Sequence, residues 1–211
     1  MVLVINWNII SDCISDATQS PFSITRAHPV SGGYTSQAWH LEGRIQSGPH
    51  QGDVHYFVKL NSADKRTMFE AEAAGLAALA ATHTVRVPHV IFFGDADQHA
   101  FIVLEYFNLY RNGNNQLLGT QLAALHRVQA AQFGWIQSNT LSLTPQHNIC
   151  SPDWLSFWRE QRLGFQLDLA ARNGYRGKVQ VLGQRVIEAL PELFAGYHPA
   201  ASLLHGDLWG G

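Results

Sequence analysis

The apolar pattern of this chain changes character once, and that change sets what the chain can fold into. Up to about Glu105 the apolar residues run in short β-like stretches: "FSITRAHPV", "TSQAWHLEGRI", "VHYFVKLN", "HVIFFGDAD" and "HAFIVLEYF". Turn-rich segments, "SGGY" and "QSGPHQGD", separate the first three, and a short acidic turn joins the last two. Between the third and fourth stretches, "ADKRTMFEAEAAGLAALAA" carries Met68, Phe69, Leu76 and Leu79 among strong helix formers, which predicts a helix over 64–81 with Ser62 available as a cap. The segment "NLYRNGNNQ" then turns to Asn, Gly and polar residues, and only helical periodicity follows it.

The expected organisation is therefore α+β in two lobes: residues 1–105 with a five-stranded antiparallel sheet, and residues 106–211 mainly helical. In the first lobe Trp7, Ile10 and Ile14 also predict a short helix behind Asn6. In the second, "QLLGTQLAALHRVQAA" places Leu118, Leu122 and Leu125 on one stripe. "SPDWLSFWREQRLGFQLDLAAR" opens on a Ser-Pro start signal, and "KVQVLGQRVIEALPELF" makes a third helix. No internal repeat or low-complexity stretch interrupts this order.

Composition narrows the partners. Charged residues make up 14% of the chain, against roughly 25% in ordinary soluble proteins, and the net charge is -2. With Lys59, Lys65 and Lys178 as the three lysines and no basic patch, nucleic acid is a poor partner. Cys13 and Cys150 are far apart in sequence and form no disulfide framework or thiolate metal site. The opening "MVLVINWNII" has no basic leader and no small-residue cleavage site, and Asp12 interrupts it before it could span a bilayer, so a cytoplasmic location with no membrane association is expected. The 11 histidines show neither HExxH spacing nor finger-like pairing with cysteine; they read as scattered surface and loop residues, and no metal ligand is assigned.

Lys59 is the first residue that suggests chemistry. Alternation puts it on one strand face with His55 and Phe57, and an ammonium there needs either an anion or a snorkelling path to water. Of the two nearby helix carboxylates, Glu72 precedes the small apolar "AAGLAAL" face and is expected to turn inward, whereas Glu70 stays in water. A strand lysine held by a helix glutamate is the arrangement that fixes a lysine against nucleotide phosphates. Gly32 and Gly33 let backbone N–H groups approach an anion, although a tight hairpin turn asks for the same glycines. Glu105 and Phe107 flank the end of the last strand, where main-chain groups could meet an adenine or simply finish a core strand. Near the C-terminus, "LLHGDLW" sets Asp207 in a glycine-containing turn, placed as a base for a substrate hydroxyl or as an ordinary Asx turn, with His205 bracing the loop. The order of these pieces is more informative than any one of them.

Taken together, "GGYTSQAW", "YFVKLN", "MFEAEAAGL", "VLEYF", "LAALHR", "FGW", "TPQHN", "WLSFWREQRLGFQL" and "LLHGDLWGG" resemble, in order, the motifs of the fructosamine kinase or ketosamine-3-kinase family. That family is related to aminoglycoside phosphotransferases and has a protein-kinase-like bilobal fold. The resemblance implies ATP-dependent phosphorylation of a sugar hydroxyl, typically at C3 of a ketosamine, as a deglycation repair activity. It carries nucleotide phosphate binding to Lys59, Gly32 and Gly33, the tether of that lysine to Glu72, and the base role to Asp207. Gln146 and Asn148 in "TPQHN" become candidates for the acceptor side, with loop-ordering hydrogen bonds as their alternative.

The same resemblance puts the magnesium-ligating asparagine one position beyond Gly211 and a second ligand, a D-P-A aspartate, on a hairpin after it. The 211 residues are accordingly read as a kinase cut short, inactive as it stands, with an uncovered apolar face on its helical part that invites dimerisation. Two other readings remain beside it: a catalytically silent nucleotide-binding or interaction protein, and a phosphotransferase acting on an aminoglycoside or another small alcohol.

Overall fold

The structure, a computed structural model, describes residues 5–31, 35–48, 51–110, 113–206 and 208. The chain divides into two compact units, Met1–Gln121 and Leu122–Gly211.

In the first unit, helix α1 (Trp7–Thr18) starts at Asn6, whose side chain accepts a hydrogen bond from the Asn8 N–H at 3.2 Å. This satisfies one of the donors a helix start leaves open. Strands β1 (Phe22–Val30), β2 (Gln37–Ile45), β3 (Gly52–Ser62), β4 (Val90–Ala96) and β5 (His99–Glu105) form one antiparallel sheet in the order β1-β2-β3-β5-β4. Helix α2 (Arg66–Ala81) connects β3 to β4. It begins after a 3-10 turn, Ala63–Lys65, so Ser62 precedes that turn instead of capping α2, and its hydroxyl bonds the Asp64 carboxylate.

The sheet is covered on both faces, and the alternation within its strands shows how. Tyr56, Val58 and Leu60 of β3 and Phe101 and Val103 of β5 pack with Ile10 and Ile14 of α1. The opposite parity of β5, Ala100, Ile102 and Leu104, packs on Phe69 and Ala73 of α2. Residues Ala100 to Leu104 are thus buried without a break, which is why this stretch reads as a continuous apolar run instead of an alternating one.

In the second unit, α3 (Asn115–Leu125), which begins in the first, ends on the fully buried Leu125. Residues Trp154–Phe157 form α4, Trp158–Gly164 wind as a π-helix, and Phe165–Arg172 continue as α5. Asp153, not the Ser-Pro pair, caps this helical run: its carboxylate accepts from the Ser156 N–H at 2.7 Å, which holds its pKa below the ordinary carboxylate value. The wide turn depends on Gly164, because a Cβ there would stand 2.5 Å from the Arg159 carbonyl oxygen. Helix α6 (Lys178–Leu193) follows.

The mainly helical part after residue 106 also contains short strands that its periodicity did not reveal. Strand β6 (Gln129–Ala130) pairs with β9 (Ala201–Ser202), and β7 (Asn139–Leu141) pairs with β8 (Thr144–Gln146). These ladders are too short to show alternation, so periodicity cannot reveal them.

A second fold-defining contact joins "FGW" to "TPQHNIC". Phe133 and Ser151 exchange backbone hydrogen bonds at 2.8 and 2.9 Å, and the Trp135 N–H donates to the Asn148 carbonyl at 3.0 Å. Gly134 sits between them at φ +122°, with room for no Cβ: it would lie 2.7 Å from the Asn148 carbonyl oxygen. Part of α6 remains apolar and exposed, including Val179, Leu182, Val186 and Leu193. Among the described residues no helix is long and apolar enough to cross a membrane.

Phe69 is fully buried at the centre of the α2 layer. Its truncation, Phe69→Ala, is expected to lower the unfolding free energy by about 3–5 kcal/mol, read from urea unfolding followed by circular dichroism. A change under about 1 kcal/mol would mean that α2 is not anchored as described.

Candidate active site

The candidate site of the first unit is built around β3. Register places Lys59 between Ala38 of β2 and Ile102 of β5, in the middle of the sheet. Its side chain leaves on the α2 side, where Lys59 Nζ donates to Glu72 Oε1 at 2.6 Å. Both groups are about one-third exposed or less, 34% for the lysine side chain and 27% for the glutamate, so the pair is shielded but reachable. The choice between the two carboxylates follows from the helix itself. Phe69 and Ala73 face the sheet, Glu72 lies beside Ala73 on that side, and Glu70 points to water.

A loop carrying Gly32 and Gly33 joins β1 to β2. Gly32 and Gly33 lie outside the described residues, but the loop's return to β2 is anchored. Asn61, two residues past Lys59, donates from Nδ2 to the Thr35 carbonyl at 2.7 Å and to Ser36 Oγ at 3.2 Å. This tie fixes where the loop ends relative to the lysine. Sequence reasoning missed Asn61, although it stands inside the quoted "YFVKLN"; a polar residue of the same strand parity as Lys59 was the available signal.

At the end of β5, the side chains of Glu105 and Phe107 are engaged with Arg86. Glu105 Oε1 accepts from Arg86 Nη2 at 2.8 Å, and the guanidinium lies 4.3 Å from the centroid of the Phe107 ring. The Glu105 N–H donates to the His89 carbonyl at 2.8 Å. Any base contact from this segment would therefore come from main-chain groups after Glu105, not from these side chains or from the Glu105 amide. Tyr106 stacks flat on His40, ring centroids 3.9 Å apart and 12° between planes.

In the second unit, the β6–β9 ladder and a bond from the Leu203 N–H to the Val128 carbonyl at 2.8 Å hold the approach to "HGD". His205 is exposed, and its Nδ1 contacts the Gly206 carbonyl at 2.7 Å, a local brace within the loop. Asp207 lies outside the described residues.

Gln146 and Asn148 belong to an ordered polar network. Asn148 is 4% exposed; its amide donates to the Gln137 carbonyl at 3.1 Å and to Asn139 Oδ1 at 2.9 Å. Gln146 Nε2 donates to the same Asn139 oxygen at 3.0 Å. Arg162, from the π-helical turn, donates to Asn148 Oδ1 at 2.7 Å and to the His147 carbonyl at 2.5 Å, above the Phe157 ring. Burial pushes the Arg162 guanidinium below its ordinary value, but it remains a cation at neutral pH. These bonds commit the Asn148 side chain to holding the loop. Arg162 was also missed from sequence, since nothing in the helical pattern marks a π-turn.

The histidines are less scattered than their spacing suggested. His28 Nε2 is 3.3 Å from Glu42 Oε1, and His40 Nε2 is 2.9 Å from His55 Nδ1. Partial burial, helped by the neighbouring His55, lowers the His40 pKa.

A tethered lysine on a central strand, a loop pinned beside it and a helical second unit carrying an H-G-D segment define a kinase-like chain. The family model for fructosamine kinase matches residues 6–211. A probable ketoamine kinase of Synechocystis is 39% identical over 208 residues, covering 97% of this chain and 67% of that protein. A chloroplastic protein-ribulosamine 3-kinase of Arabidopsis thaliana is 35% identical over 192 residues, 89% of this chain and 56% of its own. The crystal structure of a candidate fructosamine-3-kinase from Haemophilus somnus superposes with a TM-score of 0.81 at 26% identity, over 96% of this chain and 66% of that one. A second, from Thermobifida fusca, shares the fold at a TM-score of 0.74 and 24% identity. The chain belongs to the fructosamine kinase family and has its protein-kinase-like α+β fold. It spans about two thirds of the length of the bacterial relatives it matches.

The Lys59–Glu72 pair is partly solvated, which limits what it adds to stability. Glu72→Gln is expected to cost no more than about 1 kcal/mol of unfolding free energy in urea. A loss of several kcal/mol would mark the pair as a structural ion pair of the fold.

Proposed function

We propose that the site carried by this sequence serves ATP-dependent phosphoryl transfer to a sugar hydroxyl, that of C3, on ketosamines such as fructosamines. The observation that carries this reading is the 2.6 Å contact between Lys59 and Glu72, made from the centre of the sheet to the helix that follows it. In this scheme Lys59 binds the α- and β-phosphates of ATP and Glu72 keeps its ammonium in place. The main chain of Gly32 and Gly33 covers the phosphates, and main-chain groups around Phe107, following Glu105, meet the adenine.

Asp207 is the base. As the C3 hydroxyl oxygen bonds to the γ-phosphorus, the bond from that phosphorus to the β–γ bridging oxygen breaks and ADP leaves. The hydroxyl proton passes to the Asp207 carboxylate. His205 holds the loop that presents Asp207. The 144–148 loop serves the acceptor side, with Gln146 and Asn148 acting through the shape they give it. Magnesium is the metal proposed to accompany ATP, supplying charge neutralisation at the phosphates when bound. No ligand for it is assigned among the described residues.

Support for the acceptor class comes from the family match and from relatives named as ketoamine and ribulosamine kinases. The test is phosphorylation of a fructosamine by ATP, with product followed by 31P NMR. Asp207→Asn is expected to lower kcat by at least about 100-fold while nucleotide affinity changes little. Equal turnover by that variant, or transfer to simple alcohols with no preference for a ketosamine, would defeat the proposal.

A further inference from the structure

Four side chains on the α2-side face of β1, β2 and β3 form a cluster that the phosphotransfer reading does not use. Register puts His28 opposite His40 and Glu42 opposite His55, so the four converge from three strands. One ligand atom from each of His40, Glu42 and His55 lies within 4.8 Å of the other two. His28 stands beside this trio, with its Nε2 3.3 Å from Glu42 Oε1.

The geometry is close to what a tetrahedral ion requires. Two donor atoms about 2.05 Å from a four-coordinate zinc stand roughly 3.3 Å apart. The His40 to His55 nitrogens are at 2.9 Å and one Glu42 oxygen lies within 4.8 Å of both, so an ion asks the carboxylate to close by up to about 1.5 Å. The orientation of His40 is already fixed by its flat stack on Tyr106. Two imidazole nitrogens facing each other share one proton; a metal ion satisfies both lone pairs and draws in the carboxylate as well. Imidazoles with one carboxylate suit zinc and its neighbours, whereas magnesium prefers an all-oxygen shell. A competing cation is Arg26, whose guanidinium is 4.0 Å from Oε2, the other oxygen of Glu42, and largely exposed.

We propose that His40, His55 and Glu42 form a three-ligand site for a divalent transition-metal ion of the zinc class, its fourth position filled by water or by a re-aimed His28. Such an ion cross-links β2 and β3 through side chains. It is also one ring away from the segment after β5, because His40 carries Tyr106. The inference needs only the first unit and stands whether or not the acceptor is a ketosamine.

The experiment is calorimetric titration of the tag-free chain with Zn2+ alone, with metal analysis after dialysis. One zinc per chain is expected, unaffected by excess Mg2+, and Co2+ should give the visible absorption of a four-coordinate site. Glu42→Gln keeps the shape of the side chain and should weaken zinc by at least about tenfold. His55→Ala, at an exposed position, should do the same, and the His40→Ala/His55→Ala pair should abolish the site. His198→Ala, on the second unit, should leave it unchanged. Circular dichroism checks folding, and if the double variant fails to fold, Glu42→Gln and His55→Ala decide. Failure to retain zinc, zinc that survives these two changes, or zinc displaced by magnesium would overturn the proposal.

Discussion

A single charged contact explains why the first unit is arranged as it is. The ammonium of Lys59 leaves the central strand into a partly shielded space, where an acidic partner fixes its position. Glu72 supplies that partner from α2, and α2 can deliver it because Phe69 and Ala73 seat the helix on β5. The sheet order is part of the same arrangement: β5 lies next to β3, so the helix that packs on Ala100, Ile102 and Leu104 also reaches Lys59. Partial exposure of the pair leaves the ammonium accessible to an anion, which a sealed ion pair would not allow.

The second unit shows the same economy with polar groups. Asn148 is buried, and such an amide is tolerated only with its hydrogen bonds made. Arg162 supplies one of them from a π-turn that exists because Gly164 has no side chain to strike the Arg159 carbonyl. The crossing at Gly134 then fixes where this loop runs. The "TPQHN" string thus gains its shape from two distant glycines and one arginine.

Legibility in the sequence followed the range of the interaction. Lys59 and Glu72 could be read because each belongs to one regular element, where strand parity and helix face predict direction. The five strands were visible for the same reason. The β6–β9 pairing was not, since two residues carry no period and the partners are remote in sequence. The cluster of His28, His40, Glu42 and His55 was likewise hidden: each residue was placed in an expected strand, but only the register between strands brings them together. Ser62 illustrates a smaller error, where a 3-10 turn displaced the helix start by four residues from the residue expected to cap it.

The central claim is that the carboxylate at 72 acts through the ammonium at 59. A double-mutant cycle on ATP affinity isolates that dependence. The account predicts that Lys59→Ala and Glu72→Gln each weaken ATP binding, and that the two changes together weaken it no more than Lys59→Ala alone. Losses that simply add would show that the two side chains contribute separately, and the account would be wrong.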